Sequence, residues 1–156
     1  MSRVIVQAED FNLAELYAGL RLSSPGEIGG IAMFVGLVRD RNHKAGSGGL
    51  VDSLTLEHYP GMTEASIEKI IQRAKDQWPL EGVVVVHRVG ELGPNDQIVA
   101  VGCASAHRAA AFAGAEFIMD YLKTDAVFWK KEVTEDGAQW IQSTTDDLNR
   151  AGDWRE

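Results

Sequence analysis

The chain has 156 residues, 45% hydrophobic and 24% charged, the balance of one globular domain with room for a hydrophobic core. Its formal charge of −8 speaks against a general nucleic-acid binder, whose phosphate contacts need an excess of Lys and Arg. No apolar run approaches the ~20 residues of a membrane helix, the opening MSRVIVQAEDFN lacks the apolar stretch of a signal peptide, and the single cysteine, Cys103, excludes an internal disulfide. One cytosolic domain over residues 1–156 is expected, with no membrane and no nucleic-acid partner.

Residues 4–7 are a short apolar stretch that opens a sheet. Asn12 is an N-cap for a helix to about Leu22, with Leu13, Leu16, Tyr17 and Leu20 on one face. SSPGE is a turn. Residues 28–38, IGGIAMFVGLV, read as a buried strand whose Gly29 and Gly30 suggest a bulge or a close backbone approach. RDRNHKAGSGG, residues 39–49, is a polar, basic, glycine-rich surface loop. Residues 50–59 alternate as a half-buried strand and end at Pro60-Gly61. Thr63 or a neighbour starts a helix to about Trp78, with Ile67, Ile70, Ile71 and Ala74 on one face and Pro79 as its stop. Residues 83–89 and 98–104 are strands that pair across the turn residues GELGPND. Ser105 caps an alanine-rich helix over 106–123. Residues 127–133 form a strand, Asp136-Gly137 a hairpin turn into residues 138–142, and the tail from Asp146 a short helix or a frayed end. Hairpin-joined strands interleaved with helices point to an α+β fold rather than a doubly wound parallel sheet.

The chemistry-bearing residues are mostly cations set against apolar neighbours. Arg39 and Arg41 follow the second strand, His107 and Arg108 open the long helix, Lys123 ends it, and Lys130 and Lys131 follow beside Phe128 and Trp129. If the chain turns back near Thr124, Lys123 and Lys130 can face one pocket. Arg makes forked contacts to phosphate or carboxylate, the free N–H groups of a helix start add positive potential, and a lysine held against aromatic rings becomes a better anion partner and proton donor. The plain alternative for any lysine is a solvated surface group. His43, His58, His87 and His107 form no HExxH and no zinc spacing with the cysteine, so no metal is expected. No GxGxxG follows a strand and no P-loop is present, so no nucleotide cofactor is expected either. Cys103, inside IVAVGCAS, reads as a small buried hydrophobe rather than a catalytic thiol.

Five ordered blocks go further: FVGLVRDRN (34–42), LEHYPGMTEASI (56–67), HRVGELGPNDQIV (87–99), SAHRAAAF (105–112) and FIMDYLKTDAVFWKKE (117–132). Together they resemble the large, catalytic subunit of molybdopterin synthase, over about residues 4 to 140. The resemblance implies an α+β fold of the α/β-hammerhead type with a mixed, largely antiparallel sheet and hairpins. It implies a cytoplasmic sulfurtransferase that makes the dithiolene of molybdopterin from cyclic pyranopterin monophosphate. Its partner would be a small ubiquitin-like sulfur-carrier subunit with a C-terminal Gly-Gly thiocarboxylate, bound to a homodimer within a heterotetramer, with no metal or cofactor of its own. Residue by residue, it makes Lys123 and Lys130 the catalytic lysines. Arg39, His107 and Arg108 would bind substrate with them, Phe34 and Met119 would be pocket walls, and Lys131 would be supporting charge. The family has Ala-Pro before Phe-Trp-Lys where this chain has Ala126-Val127, which removes a fixed φ from the lysine segment; Gly46–Gly49 resembles a flexible form of the substrate-side loop. Two other readings remain at this stage: a catalytically silent homologue that only binds, and an unrelated phosphate-ester hydrolase with a histidine-bound metal.

Overall fold

The computed structural model describes residues 1–39, 51–126, 128–134 and 137–140, and within them the side chains of 1–39, 53–126 and 128. Strands β1 (Ser2–Gln7) and β2 (Gly30–Leu37) sit at the two edges of a four-stranded sheet. Its centre is β4 (Gly82–Arg88) and β6 (Gln97–Ser105), in the order β1-β4-β6-β2. The β1–β4 pairing is parallel and the other two are antiparallel. Val83, Val85, Val99, Val101 and Cys103 pack on one face, and Val84, Val86, Ala100 and Ala104 on the other. Burial on both faces explains why GVVVV is continuously apolar instead of alternating.

Helix α1 (Leu13–Arg21) covers one face through Leu16 and Leu20. Asn12 caps it as expected, its Oδ1 accepting from the Ala14 and Glu15 N–H groups at 2.9 and 3.3 Å. Tyr17, expected on the buried face, is instead 46% exposed, with Arg21 stacked 5.7 Å from its ring centroid. Helices α2 (Met62–Gln77) and α3 (Arg108–Leu122) cover the other face. Ile67, Ile70, Ile71 and Ala74 of α2 are all buried, and Gly61 precedes it with its N–H donated to Glu64 Oε1.

A second, fully antiparallel sheet has the order β5-β3-β7-β8. It comprises β5 (Gly90–Leu92), β3 (Val51–His58), β7 (Phe128–Thr134) and β8 (Gly137–Trp140). Val38, Leu54, Leu56 and Leu92 form its small core, and Ile98 touches both this cluster and the main one. Ile98 therefore joins the two sheets.

The α+β class, the largely antiparallel pairing and the antiparallel meeting of β4 with β6 hold. Three further expectations need correction. GELGPND contains a strand, because Gly90–Leu92 leaves the first sheet to pair with β3. Ser105 does not cap α3: it ends β6 and donates its hydroxyl to the Pro79 carbonyl at 2.8 Å, and His107 takes the cap position without a side-chain cap bond. The segment 28–38 is not a buried strand, since β2 lies at a sheet edge with Phe34 and Leu37 each 47% exposed. Gly29 makes the close approach that its residue type suggested. A β-carbon there would overlap the Ala106 carbonyl, and the Gly29 N–H donates to Ser105 O at 2.9 Å. The loop from Asp40, the turn at Asp136 and the tail from Asp146 lie outside the described residues.

Candidate functional site

Between the β2 edge and the outer face of α3 lies a cavity of about 470 Å3, within the size range of small-molecule sites. Ala32, Met33 and Phe34 line it from β2, and Phe112, Ala115, Glu116, Met119, Asp120 and Lys123 from α3. The helical residues fall at the three- and four-residue spacings that put side chains on one helix face. Small residues on the sheet side of α3 (Ala111, Gly114, Ala115) bring the helix close to the strands; a β-carbon at Gly114 would stand 3.0 Å from Leu80 and 3.3 Å from Cys103 Sγ. The helix therefore presents a wall of three apolar side chains, two carboxylates and one ammonium group.

Lys123 is the C-cap of α3, is exposed and lines the cavity. The chain does turn back as expected: the Thr124 and Asp125 N–H groups both donate to Tyr121 O, at 3.2 and 2.7 Å, before β7 begins. Phe128, at the start of β7, stacks on His87 with ring centroids 4.0 Å apart, tying that strand to the end of β4. Lys130 occupies the register position opposite Leu56, and Lys131 that opposite Thr55; their side chains lie outside the described ones, as does Val127.

Three of the expected residues thus share the cavity: Phe34, Met119 and Lys123. Three others, His107, Arg108 and Arg39, are not among its lining residues. His107 and Arg108, both exposed, open α3, while Lys123 closes it, and fifteen residues of helix set them about 22 Å apart. Arg39 is exposed just beyond β2 and is not among the lining residues. The reading of the sequence did not single out Phe112, Glu116 or Asp120. Their signal was available: Phe112, Glu116, Met119 and Lys123 run at four-, three- and four-residue steps along one helix face. Asp120 is 7% exposed.

Cys103 is buried in β6 and its thiol is pushed up to about 12 by burial, which suits a core residue and not a nucleophile at neutral pH. Among the described residues no group of three or more His, Cys, Asp or Glu side chains is placed to hold a metal ion.

An α+β frame with a cavity of small-molecule size between a sheet edge and a helix, walled by apolar side chains, two carboxylates and one lysine, defines the class of protein. The family profile described as MoaE protein matches residues 6–125. The chain is 51% identical over 152 residues to the molybdopterin synthase catalytic subunit of Vibrio cholerae, covering 97% of each chain. It is 45% identical over 153 residues to that of Escherichia coli, covering 98% of each. Its fold matches the molybdopterin biosynthesis MoaE protein of Burkholderia ambifaria with a TM-score of 0.82 at 47% identity, over 99% of this chain and 98% of that one. The molybdopterin synthase structure from Staphylococcus aureus matches with a TM-score of 0.76 at 28% identity, over 88% and 95%. The chain belongs to the MoaE family.

Proposed function

We propose that this chain is a sulfur-transferring enzyme of molybdenum cofactor biosynthesis, the catalytic subunit of a molybdopterin synthase. The observation that carries the reading is the cavity between β2 and α3, walled by Phe34 and Met119 with Lys123 at its mouth, in a chain of the MoaE family. Its substrate is cyclic pyranopterin monophosphate. Its partner is a small ubiquitin-like subunit whose C-terminal Gly-Gly thiocarboxylate enters the cavity, and it acts in the cytoplasm. Apolar walls accept the pterin, and cations meet the cyclic phosphate and the thiocarboxylate.

The thiocarboxylate sulfur attacks a side-chain carbon of the precursor, forming a C–S bond as that carbon's C–O bond breaks and its oxygen leaves with a proton. Lys123 and Lys130 stabilise the developing negative charge and assist proton transfer, work that preorganised cations do best where water is excluded. Water then attacks the acyl carbon of the resulting thioester and breaks its C–S bond, so the sulfur stays on the pterin and the small subunit leaves as a carboxylate; a second loaded copy delivers the second sulfur. Arg39, His107 and Arg108 bind the precursor's anionic groups. In the homodimer that the family resemblance implies, which the small subunits complete as a heterotetramer, His107 and Arg108 serve the cavity of the second copy.

Reconstitution tests this reading. The purified chain, the precursor and a thiocarboxylated small subunit should yield the dithiolene product, detected by fluorescence of its oxidised derivative. Lys130→Ala should nearly abolish product with the fold intact. Near-normal turnover by that variant would remove Lys130 from the mechanism, and no product from the unaltered chain with the small subunit still bound would leave a silent binding protein. Stoichiometric zinc or manganese in active protein would favour the metal-hydrolase reading instead.

A further inference from the structure

Arg73 lies on α2, on the side of α3 away from the cavity-lining stripe. Its guanidinium carbon stands 4.3 Å from the Tyr121 ring centroid and 5.6 Å from that of Phe117, and its Nη1 is 3.6 Å from Asp125 Oδ2. Phe117, Tyr121 and Asp125 are spaced by four, so one cation spans the last two turns of α3 and the turn that follows. That turn is where Lys123 sits. Lys123 donates its N–H to Met119 O at 3.3 Å, and the next two N–H groups converge on Tyr121 O. A helix end leaves carbonyls unsatisfied and readily frays, and Lys123, the C-cap, is the cation that α3 itself places at the negative end of its dipole. Arg73 adds a second cation from the neighbouring helix and contacts Tyr121 and Asp125, the residues on either side of Lys123. An exposed ion pair alone adds little; stacking over an aromatic face adds attraction and geometry.

We propose that Arg73 is a positioning residue for sulfur transfer, holding Lys123 in register with Phe34 and Met119 by clamping Tyr121 and Asp125. This rests on the reading of Lys123 as a catalytic residue.

The test is the reconstituted assay on the full chain with four variants, each checked for folding by circular dichroism and melting temperature. Arg73→Ala should lower kcat about tenfold with KM for the small subunit nearly unchanged, because a displaced group costs the chemical step rather than the docking. Arg73→Lys, which keeps a cation over the ring, should recover part of the loss. Leu16→Ala, a core trim on the opposite face of the sheet, should lower the melting temperature at least as much and leave kcat unchanged. Lys123→Ala should be inactive. Wild-type kcat in Arg73→Ala beside an inactive Lys123→Ala would overturn the positioning role alone. An equal kcat loss in Leu16→Ala would reduce Arg73 to a stability effect and overturn it too. Full turnover by Lys123→Ala would overturn the reading of the site and this inference together.

Discussion

Lys123 and Cys103 show how backbone context decides what a reactive side chain does. Lys123 caps a helix at a cavity mouth, where its ammonium group can reach a ligand without the cost of burial. Replacing it by Ala should leave the melting temperature almost unchanged, as for an exposed position. Sulfur transfer should fall by about 10²-fold or more, the scale of losing one preorganised charge at a reacting centre. Phe34, 47% exposed as a cavity wall, should behave differently: Phe34→Ala should raise KM for the precursor more than it lowers kcat, measured by steady-state kinetics. Cys103 is completely buried, and burial holds its thiol at about 12 against an ordinary 9.0. The neutral thiol's contribution to stability is therefore intact below pH 9 and declines as pH rises toward 12, because only the unfolded chain ionises readily there. Native protein at pH 8 should resist a thiol reagent that labels the urea-unfolded chain at once; rapid native labelling would refute this. The inert character of Cys103 was legible from its apolar surroundings in the sequence. The exposure of Phe34 was not, because it depends on β2 ending at a sheet edge, and strand order is set by contacts remote in sequence.

At the scale of elements, what the sequence reveals is what local physics determines. Asn12 capped the helix it preceded, and Ile67, Ile70, Ile71 and Ala74 marked the buried face of α2, since both signals act within a few residues. Asn12→Ala should cost about 1 kcal/mol in chemical denaturation. Ser105 misled because its hydroxyl is claimed by Pro79, 26 positions away, and Gly90–Leu92 looked like a turn because its partner β3 lies more than thirty positions back. Gly29 links an element to the site. A β-carbon there meets the Ala106 backbone, which cannot rotate aside as a side chain can. Gly29→Ala should cost about 1–3 kcal/mol and shift the start of α3, so it should also weaken precursor binding through His107 and Arg108. A stable variant with wild-type binding would contradict both effects.

Across the whole molecule, a chain of net charge −8 places His107 and Arg108 where α3 begins and Lys123, between Asp120 and Asp125, where it ends. The account places Lys123 and the His107–Arg108 pair of one cavity on two different copies. Sedimentation should show a dimer at micromolar concentration, and a stable monomer would contradict it. Mixed dimers supply a sharper check: Lys123→Ala and Arg108→Ala chains, each inactive alone, should regain activity when co-refolded, because one of the two cavities then holds both intact groups. The family resemblance in the sequence supplied the lysines, the partner and the reaction, whereas the separation of His107 and Arg108 from Lys123 became visible only with the length of α3 in place.

The most direct measurement is single-turnover consumption of the small subunit's thiocarboxylate, followed by intact-protein mass spectrometry with and without the precursor. The account predicts conversion to carboxylate only when both the precursor and an intact Lys123 are present, with product forming at the same rate. Conversion at an unchanged rate by Lys123→Ala, or without the precursor, would contradict the assignment of sulfur transfer to this cavity.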